Sequence, residues 1–152
     1  MGLFDWFLGK DTSQQSQRQE NQLSAEALYV IDNAHRFISA TRLTMDTTKL
    51  KDSSVLTRCC IYYTGVIKFF GQKAGAKSKE LTGVTAAILS DQGLKPEEAF
   101  RLLQRLPEVL EDESMAELYE KGWNDVRRFL EEEDLAVPMN LSEMVYEWTD
   151  QN

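Results

Sequence analysis

The stretch SSVLTRCCIYYTGVIKFFG, at residues 53–71, constrains the fold of this chain more than any other. It is rich in valine, isoleucine, tyrosine, threonine and phenylalanine, which favour β-strands. Its apolar residues nevertheless recur at steps of one and three, which is the spacing of a helical stripe and not the alternation of a strand. Further apolar residues lie off that stripe, so we predict a helix over 54–70 that is buried on most sides. The stripe consists of Val55, Leu56, Cys59, Cys60, Tyr63, Val66, Ile67 and Phe70.

The residues that follow, GQKAGAKS at 71–78, match the phosphate-binding pattern G-x-x-x-x-G-K-[ST] everywhere except at Ala76. That loop needs a strand before it, because only then do its backbone N–H groups converge on a phosphate at the start of the next helix. Since a helix is predicted here instead, we interpret 71–78 as a helix–helix connection. Ser53 is the predicted N-cap of the first helix, Gly71 its end, and Ser78 the cap of the next helix.

Helical spacing also governs the rest of the chain from Ser24 onward. One helix is predicted from Ser24 to about Thr44, with its inner face formed by Ala27, Leu28, Ile31, Ala34, His35 and Ile38. Others are predicted over 79–93, over 95–106 with Pro107 as the break, from Ser114, and from Asn140. Glu117 and Glu143 complete capping-box patterns with Ser114 and Asn140. No strand-like alternation occurs, so we predict an all-α, single-domain helical bundle of about six helices.

Three segments are predicted: an amphipathic segment at 1–10, a polar, glutamine-rich linker at 11–23, and the helical domain at 24–152. The first is a docking or membrane segment, and docking on the domain itself is the favoured fate. Docking on a partner and contact with lipid are the alternatives. Contact with lipid is less favoured because the segment is short, contains Asp5 and has only Lys10 as a basic neighbour. Its apolar side chains are Leu3, Phe4, Trp6, Phe7 and Leu8.

The charge of this 152-residue chain is unevenly distributed. Residues 1–96 contain 12 Lys/Arg and 9 Asp/Glu, a balance of +3, whereas residues 97–152 contain 5 and 16, a balance of −11. Phosphates would be repelled by the second part, which makes nucleic acid a poor partner, and a basic protein surface would be attracted. The alternative is that the acids only keep helices soluble. The predicted partner-binding residues are Glu111, Asp112, Glu113, Glu117, Tyr119, Trp123, Glu131, Glu132, Glu133 and Asp134, with Trp148 as a further aromatic candidate.

Catalytic chemistry has few candidates. Cys59 and Cys60 are adjacent, so they cannot bridge without distorting a helix, and reduced thiols suggest a cytoplasmic protein. His35, the only histidine, could form a thiol–imidazole dyad with either cysteine, but all three lie on apolar stripes and a packed role is favoured. Two cysteines and one histidine are too few ligands for a zinc site. The consecutive carboxylates at 111–113 and 131–134 point in different directions, so they are not expected to converge on Mg²⁺ or Ca²⁺. We therefore expect no enzyme activity, no metal and no cofactor.

The stretch SDQGLKPEEA at 90–99 resembles the acidic turn between helices in the tellurite-resistance TerB-like helical domains. The resemblance covers ten residues, and it implies a metal- or stress-sensing domain as one alternative. The favoured function is a non-enzymatic, acidic protein-binding module of the kind found among bacterial immunity proteins, antitoxins and regulatory adaptors. The sequence also allows a small helical enzyme or a peripheral membrane protein that uses residues 2–9.

Overall fold

A computed structural model describes residues 22–150, and in this range the chain contains helices and no strand. The predicted all-α, single-domain bundle is confirmed. The helices are α1 (Ala25–Leu43), a 3₁₀ helix (Thr47–Lys51), α2 (Ser53–Ala74), α3 (Ser78–Asp91), α4 (Pro96–Gln104), α5 (Leu106–Val109), α6 (Glu113–Glu131) and α7 (Met139–Asp150). The one helix predicted over 95–106 is two, because α4 ends at Gln104 and a short α5 begins at Leu106. Pro107, the predicted break, lies in the first turn of α5. The predicted segment at 1–10 and nearly all of the linker lie outside the described residues.

Helix α2 forms the centre of the bundle, as its apolar pattern predicts. Of its 22 residues, 13 are buried. Every residue from Cys59 to Ile67 is buried, and Lys68 is the only exposed residue between Cys59 and Gly71. Such a helix needs neighbours on most sides. Its neighbours are α1, α3, α6, α7 and the 3₁₀ helix.

The contact between α2 and α6 is so close that their backbones touch. A Cβ atom added to Gly65 of α2 would lie 2.0 Å from the backbone oxygen of Tyr119, and one added to Gly122 of α6 would lie 2.0 Å from the backbone oxygen of Tyr62. Each helix therefore offers a glycine where the other presents a carbonyl. Beside this contact the Tyr62 hydroxyl donates a 2.7 Å hydrogen bond to Oδ2 of Asp125, a residue that is only 2% exposed.

Two predicted helix ends around the 71–78 connection are wrong. Helix α2 continues through Gly71 to Ala74, and Gly75 ends it in the left-handed conformation with a φ of 70°. Gly71 is needed for packing instead, because a Cβ there would lie 2.5 Å from Cδ2 of Leu81 on α3. Ser78 is the first residue of α3 and makes no cap, since Lys77 occupies the N-cap position. The predicted entry of a helix into this loop is confirmed.

Short polar side chains cap three of the long helices, α1, α2 and α6. Ser24 caps α1 as predicted, and its hydroxyl accepts a 3.1 Å hydrogen bond from the Ala27 N–H. Aspartates cap α2 and α6 where serines were predicted: Asp52 replaces Ser53, and Asp112 replaces Ser114. A carboxylate one or two residues earlier is the stronger acceptor for the free N–H groups of the first turn. The predicted cap Asn140 lies inside α7.

Replacing Gly65 with alanine should destabilise the fold strongly, because the new methyl group would meet rigid backbone. We expect Gly65→Ala to lower the free energy of unfolding by about 3 kcal/mol. Gly71→Ala is the matched control, since its methyl group would meet only the end of the Leu81 side chain. That side chain can rotate, and alanine favours the helix by about 1 kcal/mol, so we expect a net change within about 1 kcal/mol. Urea unfolding monitored by circular dichroism compares the two, and equal losses would contradict the close contact.

Candidate functional site

Helix α6 presents a row of carboxylates to solvent, which we call the acidic stripe: Glu113, Glu117 and Glu120. Their spacing of four and three residues places them on one face of the helix, and all three are exposed. Within residues 22–150 none of the three forms an ion pair, and neither does the nearby Glu111. The stripe therefore presents three carboxylates to solvent that no ion pair among the described residues compensates.

Asp112, beside the stripe, has a structural role. Its carboxylate accepts hydrogen bonds from the backbone N–H groups of Ser114 at 2.9 Å and Met115 at 3.3 Å, and from the Ser114 hydroxyl at 2.6 Å. The Ser114 hydroxyl above all, then the two backbone N–H groups, hold the pKa of Asp112 below its usual range. This carboxylate is ionised at neutral pH and begins the helix that carries the stripe.

The second acidic run, Glu131 to Asp134, is half balanced by two arginines near the end of α6, which offset two of its four negative charges. Arg127 lies 3.5 Å from Glu131 and 3.6 Å from Glu132, while Arg128 lies 3.8 Å from Glu132 and 2.7 Å from Asp134. The two predicted acidic clusters lie at opposite ends of α6, which spans about 27 Å at 1.5 Å per residue. The structure therefore separates the predicted acidic residues into an unpaired set and a mostly paired set.

A groove opens beside the unpaired set, between α2, α6 and α7. Its volume is about 320 Å³. Leu118, which is 9% exposed, and the half-buried Met144 and Trp148 supply its apolar surface. Glu117 of the acidic stripe stands at its edge, so an apolar depression and a negative surface adjoin. The lining residues are Arg58, Ser114, Glu117, Leu118, Lys121, Met144, Glu147 and Trp148.

Charged side chains of both signs surround this groove. The Arg58 guanidinium carbon lies 5.3 Å from the centre of the Trp148 ring, a cation–π contact that holds the indole in place. Glu143 and Glu147 of α7 are exposed, and they too form no ion pair among the described residues. The lining itself is balanced, with Glu117 and Glu147 against Arg58 and Lys121. The excess of negative charge lies beside the groove, on the exposed and unpaired Glu113, Glu120 and Glu143.

Tyr119 and Trp123 lie on another face of α6 and contact α2. Tyr119 is half-buried at a cavity of about 180 Å³ that Thr64 and Lys68 also line. The Trp123 indole N–H donates a 2.8 Å hydrogen bond to Oε1 of Gln72, and its ring meets Phe69 edge-on at 5.2 Å between centroids. Both side chains thus help to attach α6 to α2, and their role in partner binding stays a prediction. Of the three aromatic candidates, Trp148 is the one at the groove.

The cysteines and the histidine occupy different environments. Cys59 and Cys60 are fully buried, and burial raises the pKa of the Cys59 thiol to about 12 and the pKa of Cys60 further still. His35 is exposed on α1, so the predicted packed histidine is wrong. Leu28, also predicted on the inner face, is 51% exposed. Helix α1 turns a narrower face to the core than its apolar pattern indicates.

Metal-binding clusters and membrane-spanning helices are absent from the described range. No group of three or more histidine, cysteine, aspartate or glutamate side chains between residues 22 and 150 could hold a metal ion. No helix in that range is long and apolar enough to cross a bilayer.

Comparison with known proteins gave no relative. No family model matches this chain, no curated protein matches it, and no solved structure matches it. The function therefore has to be inferred from the geometry of the surface itself.

The groove was not predicted from the sequence, although the sequence does indicate one of the helix faces that border it. Glu143 and Glu147 are four residues apart on α7, which predicts an outward face opposite Leu141 and Val145. The apolar periodicity of α7 shows which of its residues face outward, but not which other helices lie next to that outward face. The proximity of Arg58 to Trp148, which are 90 residues apart, follows only from the fold.

Native Cys59 and Cys60 should be nearly inert to alkylation. A thiol with a pKa of about 12 in place of 9.0 has about 1,000-fold less thiolate at pH 8, and burial also blocks access. We expect iodoacetamide to label the folded protein at least about 1,000-fold more slowly than a free thiol, with normal rates in urea as the control. A native rate close to that of a free thiol would contradict the inert core and favour thiol chemistry.

Proposed function

We propose that this protein is a non-enzymatic binding module that engages a basic protein partner through the acidic stripe of α6 and the adjoining groove. The observation that carries the proposal is that Glu113, Glu117 and Glu120 share one exposed face without ion pairs, directly beside an apolar depression. Unpaired surface charge of one sign gives little to stability but attracts oppositely charged partners over a distance of about 10 Å.

The groove supplies what charge alone lacks, namely a place for a partner's side chain to anchor. Affinity in protein complexes is concentrated in a few buried aromatic, aliphatic or arginine side chains, surrounded by a polar rim. A volume of about 320 Å³ over Leu118, Met144 and Trp148 is large enough for one such side chain. Charged groups at the edge, Glu117 and Glu147 above all, would then orient a basic neighbour of that anchor.

The paired run at 131–134 contributes less in this proposal. Each of Glu131, Glu132 and Asp134 lies within 4 Å of an arginine of α6. A partner would have to compete with those arginines, so the net attraction per carboxylate is smaller there. Toxin-neutralising immunity proteins and regulatory adaptors use acidic helical surfaces of this kind, which is an analogy of class.

Neutralising the stripe should slow association with the partner specifically. The partner is first captured from the native host on the immobilised full chain and identified by mass spectrometry. Its association rate is then measured from 20 to 500 mM salt. For Glu117→Gln/Glu120→Gln we expect an association rate about 10-fold lower at low salt and a weaker salt dependence.

Glu97→Gln/Glu98→Gln is the matched control, because it removes the same charge from exposed positions on α4. We expect its association rate to stay within about 2-fold of the wild type. Association that is independent of salt, or an equal loss in both variants, would refute the electrostatic part of the proposal.

A further inference from the structure

The groove beside the acidic stripe lies between two helices that run in opposite directions. Its lining takes residues between 114 and 121 from the first half of α6, and residues between 144 and 148 from the second half of α7. The connection at 132–138 joins the other ends of these two helices. The groove therefore follows α6 and α7, which we call its walls, over about 10 Å, or two helical turns.

Each apolar residue of the lining directly follows a glutamate in the sequence. The three pairs are Glu117–Leu118, Glu143–Met144 and Glu147–Trp148. Neighbouring residues of a helix point about 100° apart, so an apolar side chain that faces the groove has its glutamate at the edge. All three glutamates are exposed, which places them on the solvent side of that edge. Both walls therefore have the same order, with apolar residues inside and carboxylates outside.

The charge around the groove favours a basic occupant. Five exposed carboxylates line it or lie beside it, and none forms an ion pair within residues 22–150: Glu113, Glu117, Glu120, Glu143 and Glu147. Against these five stand the two cations of the lining, Arg58 and Lys121. Three negative charges are thus left uncompensated, and carboxylates stand on both walls and not on one alone.

An occupant of this groove has to satisfy its own backbone hydrogen bonds. Both walls are helices, which bond most of their backbone N–H and C=O groups internally. Residues 22–150 contain no strand, so no sheet edge is present there to which an extended peptide could add. On the apolar surface of the groove an extended peptide would leave its backbone groups unpaired, whereas a helix pairs them within itself. The groove therefore favours a helix.

We infer that the occupant is an amphipathic α-helix of the partner, with its apolar stripe on Leu118, Met144 and Trp148 and with lysine or arginine on both sides of that stripe. This inference rests on the proposed function, and it adds the structural element and the charge pattern that the partner presents. Apolar residues at i, i+3 or i+4, and i+7 span about 10 Å, which matches the length of the groove. The basic residues on one side then face α6, and those on the other side face α7.

Fluorescence anisotropy with labelled peptides tests the inference on the full chain. The probe is an 18-residue peptide of leucine, alanine and lysine, with leucines at i, i+3, i+4 and i+7 and lysines on both sides of that stripe. Two control peptides have the same net charge. One has the same composition with its leucines distributed around the helix, and the other has two central alanines replaced by proline, which breaks the helix. We expect each control to bind with a Kd at least about 10-fold higher.

Variants of the two walls test whether charge acts from both sides. Glu117→Gln/Glu120→Gln removes two carboxylates from α6, and Glu143→Gln/Glu147→Gln removes two from α7. Because the striped peptide has lysines on both sides, we expect each variant to raise its Kd about 10-fold at 20 mM salt. The double variant on α4 is again the control, with a Kd within about 2-fold of the wild type. A loss in the α6 variant without a loss in the α7 variant would overturn the inference.

The remaining outcomes separate this inference from the proposed function. Equal affinity for the three peptides, with a loss in both wall variants, would refute the helix and leave the acidic binding surface in place. So would failure of every peptide to bind while the partner captured from the native host associates with the expected salt dependence. Association of that partner independent of salt would instead refute the proposed function, and the inference with it.

Other occupants of the groove would be recognised in the same experiments. A second copy that docks through this surface would bring like charges together, which opposes association. Sedimentation velocity of the full chain checks this, and a dimer that excludes the striped peptide would overturn the inference. Binding of the peptide only after deletion of residues 2–9 would assign the groove to the chain's own segment and would overturn it too.

Discussion

The backbone contact between α2 and α6 is the constraint on which the rest of this structure depends. Gly65 and Gly122 each leave room for a carbonyl oxygen of the other helix, at a distance where any Cβ would clash. So short a separation brings the Tyr62 hydroxyl to the buried Asp125 carboxylate, and a buried carboxylate needs such a donor. Packing and polar pairing therefore select the same rotation of α6 about its axis.

That rotation determines what the surface of the protein can bind. With Gly122 against α2, the neighbouring Tyr119 and Trp123 also turn toward α2, and Glu113, Glu117 and Glu120 turn to solvent. The groove beside α7 results from the same placement, because α6 and α7 both lean on α2 and leave a gap over Trp148. The proposed binding surface is thus a consequence of how the core packs.

Sequence periodicity predicted the long helices and the central position of α2, since a helix with apolar residues on most sides needs neighbours on most sides. It did not predict the 3₁₀ helix at 47–51 or the division between α4 and α5. It did not reveal Gly65 or Gly122, because a glycine in a helix reads only as a weak helix former until its neighbour across the interface is known. The sequence gives the number of acidic residues in 97–152, but it does not show which of them share a surface or which have a basic partner. Pairing of Arg127 and Arg128 with the 131–134 run, and the absence of such partners around Glu117, depend on local geometry.

Nuclear Overhauser effects in the isotope-labelled full chain test the central contact most directly. A Cβ on Gly65 would lie 3.1 Å from the Trp123 nitrogen, and one on Gly122 would lie 3.3 Å from the Tyr62 Cα. The close contact therefore predicts strong cross-peaks from the Gly65 Hα protons to the Trp123 amide proton, and from the Gly122 Hα protons to the Tyr62 Hα proton. Helical chemical shifts in both α2 and α6 without either cross-peak would contradict it.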